Sequence, residues 1–287
     1  MVIIVGLLVL LGGSLTGFMI GSGKPAELIH PAEIITIGSM TIGALIIMSP
    51  LKVLKAILKI SLAVMKGAPY KKNDYEELLK VMYELFVLGR RNGMIALEEH
   101  VMKPAESSLF KKYPSFHKNH EAVEFFCDGL RPIVDGRIKP DQLEPLMSNQ
   151  LAALEHEKHL PPLVLSKTAD ALPGFGIVAA VLGIVITMGK ISGDVSKVGE
   201  SIAAALTGTF IGVFMCYGVV GPLATNIEFY NSSIMEYLNC IKAAVVGFAN
   251  GLPPLVAAEI GRRVLDEGNR PNAEELETML KTMATGK

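Results

Sequence analysis

Gly174-Phe175-Gly176-Ile177-Val178-Ala179 matches the dinucleotide fingerprint G-x-G-x-x-A, and Asp194 falls near the acidic position that would take a ribose hydroxyl. The fingerprint works only between a strand and a helix. Here Asp170 and Pro173 stand where the strand should be, and the residues that follow are apolar on every side. No Walker A phosphate loop occurs. His117 and His120 are three apart, as are His156 and His159, so either pair could touch a metal from one helix face. Exposed polar helix ends give the same spacing. Cys127, Cys216 and Cys240 are odd in number and lack C-x-x-C spacing, so reduced thiols are expected, not disulfides or zinc. No Ser-His-Asp or Cys-His pattern appears. The chain reads as no enzyme, with no metal and no cofactor.

The remaining chemistry lies in apolar sequence. Thr36, Ser39, Thr41, Thr187, Thr207 and Thr209 are hydroxyls within long hydrophobic runs. Those runs hold no Asp, Lys, Arg or His in their interiors, and Glu33 stands at the rim of one. An ionisable group in a membrane is expensive and is retained for use. If this chain moves protons, the titrating carboxylate must belong to a partner. Pro173 opens the third run and Pro222 lies within the fourth. A proline inside a helix frees a carbonyl and permits bending.

Such residues must be positioned by helices in lipid. Of 287 residues, 50% are hydrophobic and 19% charged, with a net charge of −1. Soluble domains carry about a quarter charged residues. The composition excludes a disordered chain, a disulfide scaffold and a typical soluble enzyme. Near-neutral charge argues against a nucleic-acid binder, which needs a basic excess. Val2 to Ile20 is uncharged and long enough to cross a bilayer, which takes roughly 20 residues. The second span runs from about Ala32, after Pro31, to Met48; the third from about Leu172 to Met188; the fourth from about Ala203 to Ile227. Between Leu51 and Asp170 the chain changes character, with 18 Lys+Arg and 16 Asp+Glu. The fold class is an all-α integral membrane protein: four transmembrane helices, a large helical cytoplasmic insert between the second and third, and a helical cytoplasmic tail. The expected divisions are residues 1–50, 51–170, 171–228 and 229–287.

Orientation follows from basic residues near the span ends. Only Lys24 lies in the loop after the first span, whereas Lys52, Lys55, Lys59 and Lys66 follow the second with no acid among them. That places the insert and both termini in the cytoplasm. The same lysines stripe one side of an amphipathic helix that would meet anionic headgroups. In the insert, Asn73 or Asp74 is expected to cap a helix that breaks between Gly89 and Gly93 and resumes over Met94–Met102. Further helices are expected over about Asn119–Leu130 and Pro140–Lys158. After a polar break that holds Lys190, Asp194, Lys197 and Glu200, the stretch Asp194–Ile202 puts Val195, Val198 and Ile202 on one side and reads as a short helix on the outer surface. Gly13 and Gly17, and Gly208 and Gly212, form small-xxx-small faces that let helix backbones approach. The approach is equally open to neighbours within one chain and to other subunits.

With these features in hand, the sequence resembles the MotA family of flagellar motor stator proteins, within the MotA/TolQ/ExbB proton channels. The resemblance is carried by Leu172-Pro173-Gly174-Phe175-Gly176 through Gly183, by Gly208 to Gly212, by Tyr217-Gly218, and by Gly221-Pro222-Leu223-Ala224-Thr225. Leu88 to Met94 followed by Leu97-Glu98-Glu99, Pro253-Pro254, and Glu259-x-Gly261-Arg262 extend it over nearly the whole chain.

The resemblance implies a ring of five copies around two copies of a MotB-like partner in the bacterial inner membrane. The partner brings the membrane aspartate and a peptidoglycan anchor. Ion flow would turn the ring against the rotor protein FliG. By position, Arg90 and Glu98, with Arg91 and Glu99 beside them, would contact the rotor; Pro173 and Pro222 would be the conformational prolines; Thr209 would line the ion path. Sodium-driven relatives tend to carry Thr where Ala180 stands here, and a methyl cannot replace a hydration oxygen, so H+ is favoured. Two alternatives differ in class. An ExbB or TolQ-type energiser resembles a three-span protein with its insert after the first span. An autonomous four-helix transporter would need a polar site of its own.

Overall fold

The computed structural model describes residues 2–189 and 195–285; Lys190 and Asp194 of the expected outer-surface helix lie outside them, as do the side chains of Lys197 and Glu200. The described residues are helical, with no strand. In order the helices are α1 (Val2–Ile20), α2 (Pro31–Met48), α3 (Leu51–Met65), α4 (Lys72–Asn92), α5 (Ile95–Met102) and α6 (Pro114–Lys118). Then come α7 (His120–Val134), α8 (Pro140–Met188), α9 (Val195–Phe214), α10 (Gly221–Ala249), α11 (Pro254–Arg263) and α12 (Ala273–Thr285). Four stretches are long and apolar enough to cross a membrane: Val2–Ile20, Pro25–Met48, Pro140–Met188 and Ile202–Ala249.

The chain divides into two compact units. The apolar unit comprises residues 1–67 and 158–230. No residue of α1 is buried, as expected of a helix apolar all round whose solvent is lipid. One core cluster joins Ile37 of α2, Ala169, Leu172 and Ala179 of α8, and Cys216. A second sets Val53, Ile57 and Val64 of α3 against Leu165 of α8 and Ala224 and Ile227 of α10.

The structure corrects the expected boundary after Lys158: α8 continues without interruption through Pro161, Pro162 and Pro173 to Met188. Its buried residues Leu165, Ala169, Leu172, Gly176 and Ala179 recur every three or four positions. That packed stripe holds the helix together where prolines remove ladder bonds. Lys167 and Asp170, on the other faces, hide the stripe from a reading based on unbroken apolar runs.

Pro222 brings a local change of helix type. Residues Met215–Val220 form a π turn in which Gly221 N–H donates to Cys216 C=O, five residues back. An ordinary helix would drive the Pro222 ring into the carbonyl four residues earlier; the wider turn relieves it. A Cβ on Gly221 would stand 2.8 Å from the Cys216 oxygen, so this turn requires glycine.

The charged unit comprises residues 68–157 and 231–287. Its core is aromatic. Phe86 stacks on Phe248 at 4.4 Å between ring centroids, and Phe116 meets Phe126 edge-on at 5.7 Å. Tyr70 stacks on Tyr237 at 4.2 Å. The N-cap of α4 is Lys71, correcting the expectation of Asn73 or Asp74. Asp74 sits in the first turn instead, and its carboxylate accepts the Lys71 N–H at 2.7 Å.

Candidate functional site: a backbone crossing and a charged corner

The residues expected in the ion path lie where α8 and α9 cross. The crossing is close because Gly176 of α8 meets Gly208 and Gly212 of α9. A Cβ on Gly176 would lie 2.8 Å from Gly208 O and 3.2 Å from the Cα atoms of Gly212 and Thr209. A Cβ on Gly212 would lie 2.6 Å from Leu172 O. Gly208 and Gly212 therefore serve contact within the chain, whereas Gly13 and Gly17 on α1 face open space.

Thr209 stands at this crossing, half-buried, and Ala180 lies one turn along α8 from Gly176. Thr36, Thr41, Thr187 and Thr207 each donate to their own helix carbonyl four residues back, at 2.7–3.0 Å. Among the described residues the Thr209 hydroxyl has no such bond. Pro173 is half-buried in α8 and Pro222 exposed at the start of α10.

Glu33 keeps the rim position expected from the sequence and is buried there. It lies in the first turn of α2 with 8% of its surface exposed. Its Cγ is 3.3 Å from the Cβ position on Gly208, and its Oε1 is 3.9 Å from that on Gly183. Gly183 is five residues inside the end of α8. The helix N-terminus favours a carboxylate there. Its exposed rim position in sequence gave no sign that two glycines would receive it.

The charged candidates occupy a corner of the other unit. Helix α4 ends at Asn92; Gly93, at φ 83°, takes a conformation that other residues resist; α5 starts at Ile95. The corner carries Arg90 and Arg91 on one arm and Glu98 and Glu99 on the other, all exposed. Among the described residues none of the four side chains makes an ion pair or hydrogen bond. Nearby charges are committed: Lys112 pairs with Glu84, and Tyr113 donates to Glu84 at 2.7 Å. Burial and that carboxylate push the Tyr113 phenol well above its ordinary range. Gly89 lets the corner sit down, since a Cβ there would press Leu97 and Phe248 at 3.0 Å. His100, 8% exposed, shares a hydrogen bond with Ser107, which accepts the Phe110 N–H and ties the following loop.

Other chemical candidates dissolve. Gly174 and Gly176 sit within the continuous α8, where backbone N–H groups are spent on the helix, so no phosphate loop forms. The histidine pairs gather no third metal ligand among the described residues. The three thiols are buried and free, and burial pushes Cys127 up to about 12. Sequence reasoning assigned no role to Glu259-x-Gly261-Arg262. The structure does. Arg262, 8% exposed, grips Glu259 with two donors at 2.6 and 2.7 Å and donates to Pro271 C=O at 3.1 Å. Arg263 adds a third bond at 2.9 Å. Together they hold the Glu259 carboxyl down at about 2. Gly261 allows α11 to approach α10, since a Cβ there would meet Ala244 and Cys240 O at 3.1 Å.

Four apolar helices long enough to cross a membrane and a second, charged unit describe the architecture of a membrane protein. Residues 117–238 match the family model described as MotA/TolQ/ExbB proton channel family, and residues 4–93 match Motility protein A N-terminal. Motility protein A of Salmonella typhimurium is 33% identical over 283 residues, covering 99% of this chain and 96% of the relative. Chemotaxis protein LafT of Vibrio parahaemolyticus is 35% identical over 275 residues, covering 96% of each. The solved structure of C. jejuni MotAB is similar with a TM-score of 0.77 at 20% identity, covering 92% of this chain and 95% of that one. The Bacillus subtilis flagellar MotAB stator complex gives 0.71 at 22% identity, covering 89% and 92%. The chain belongs to the motility protein A family. It is a non-enzymatic subunit of the flagellar stator.

Proposed function

We propose that this subunit couples inward proton flow to torque, working at the bacterial inner membrane with both termini and the charged unit in the cytoplasm. A MotB-like partner supplies the proton-carrying carboxylate and the wall anchor; five copies of this chain surround two of the partner and push on FliG. The observation that carries the reading is the α8–α9 crossing. It has no ionisable residue of its own helices and one unbonded hydroxyl, on Thr209. A path wall of that kind suits an ion carried by another chain. The relatives in the solved structures are MotAB complexes, which supports a partner. Ala180 supplies no oxygen, which favours protons over sodium. One proton crossing 100 mV releases roughly 2.3 kcal/mol, so each step must be a low-barrier rotation.

At the rotor end, Arg90 and Arg91 would meet acids and Glu98 and Glu99 would meet bases. All four are unpaired among the described residues. Exposed pairs contribute only ~0–1 kcal/mol each. One reversal should therefore be mild, and reversing all four together should abolish swimming while membrane insertion of the stator persists. Normal swimming in the fourfold variant would refute the corner. Cells should also keep their speed as sodium is varied at fixed pH and lose it with a protonophore; the opposite pattern would overturn proton coupling. Mass measurement of the complex co-expressed with its partner checks the ring, and a stable monomer would sink it.

A further inference from the structure

Helix α3 presents three separate faces. At about 100° per residue, Val53, Ile57 and Val64 fall within about 40° of one another. They are 2–8% exposed and packed on Leu165, Ala224 and Ile227. Leu51, Leu58 and Leu62 fall within about 40° on nearly the opposite side, and are 64–74% exposed. Lys55, Lys59 and Lys66 occupy a third sector of about the same width beside those leucines, and all three are exposed.

We propose that α3 is an anionic-phospholipid-binding helix lying along the membrane surface. Its lysine face holds phosphate headgroups and its outer leucine face enters the edge of the acyl layer. The proposal rests on the reading that the apolar helices span a membrane. Three observations select this occupant. The helix starts three residues after α2 ends, so it begins where a span leaves the lipid. No Asp or Glu occurs between Glu33 and Asp74, so the lysine face meets no acid from its own stretch of chain. The leucine and lysine faces adjoin, as a bilayer boundary requires, with acyl carbon below and phosphate above. A simple stop-transfer flank needs lysines near a span end. It does not need leucines held outward by a helix already packed on its other side.

The test is lipid composition, which is independent of motility. The full chain, co-expressed with its partner, is extracted from phosphatidylethanolamine membranes containing a minority of phosphatidylglycerol. Retained lipid is read by native mass spectrometry. The native complex should hold phosphatidylglycerol several-fold above its share of the bulk membrane, because each lysine near an anionic surface favours it by about fivefold. K55Q/K59Q/K66Q should bring that ratio close to one, and K55R/K59R/K66R should keep it. L58S/L62S should lower the total lipid held and leave the ratio unchanged. A native complex with no enrichment, or enrichment that survives the glutamine variant, overturns the proposal while leaving the stator reading intact. A chain recovered outside the membrane fraction overturns both.

Discussion

In the apolar unit, backbone meets backbone: Gly176 and Gly212 would each place a Cβ within 3.2 Å of main-chain atoms across the α8–α9 crossing. In the charged unit, side chain meets side chain, with Phe86, Phe110, Phe116 and Phe126 buried to 1% or less and linked through ring contacts. The solvents explain the difference. Lipid gives leucine no reason to leave it, so helices there associate through close approach and small residues. Water drives aromatic area inward, at roughly 25 cal/mol per Å². Exposed apolar residues follow the same division: Leu8 of α1 is 66% exposed, and Leu78 of α4 is fully buried.

The comparison breaks most visibly at Gly212. Gly212→Val forces a branched side chain into Leu172 O and the Gly176 backbone, neither of which can rotate away. The expected cost is roughly 3 kcal/mol or more, and the readout is loss of the assembled complex from detergent extracts. Recovery at native yield would show that the crossing is looser than described. Next in size is Phe86→Ala, which removes a ring stacked on Phe248 and should destabilise the charged unit by about 3–5 kcal/mol. Thermal scans and limited proteolysis should show that unit failing, while the membrane fraction still holds the chain.

A smaller, pH-dependent effect should appear at Glu259. Its carboxyl is held down at about 2 by Arg262 and Arg263. Because the folded value lies below the unfolded one, its contribution is complete above about pH 5 and is lost as pH falls toward 2. With solvent screening at the exposed Arg263, that contribution is on the order of 2 kcal/mol. Protection of the α11 amides, taken relative to their intrinsic exchange rate, should fall between pH 5 and 3 in the native chain, and Glu259→Gln should flatten that dependence. Unchanged protection across that range would remove the clamp from the account.

Much of this architecture was legible in the order of residues. Four apolar stretches, a charge-rich insert and the break at Gly93 all announce themselves through composition and one conformationally special glycine. The continuity of α8 did not, because three prolines and scattered charges mask a buried stripe that only three-dimensional packing reveals. Glu33 was hidden for a related reason. A rim carboxylate looks solvated until Gly183 and Gly208, distant in sequence, are seen to make room for it. At the candidate site, Thr209 is marked by resemblance, and its unbonded hydroxyl stands out only by contrast with four other threonines of the apolar helices that bond their own helices.

The π turn at Met215–Val220 sets an angular phase. A helix advances about 100° per residue, and a π turn accommodates one residue more than an α turn does. Everything after Gly221 is therefore rotated relative to where an unbroken α9 would have put it. Ala224 and Ile227 face Val53 and Ile57 because of that offset. Removing a single residue between Met215 and Val220 would let the turn close to a regular ladder and leave those side chains facing the same way, since the turn holds the one residue in excess. The segment acts as a counting frame: it takes up one residue so that the face of α10 beyond it still looks inward.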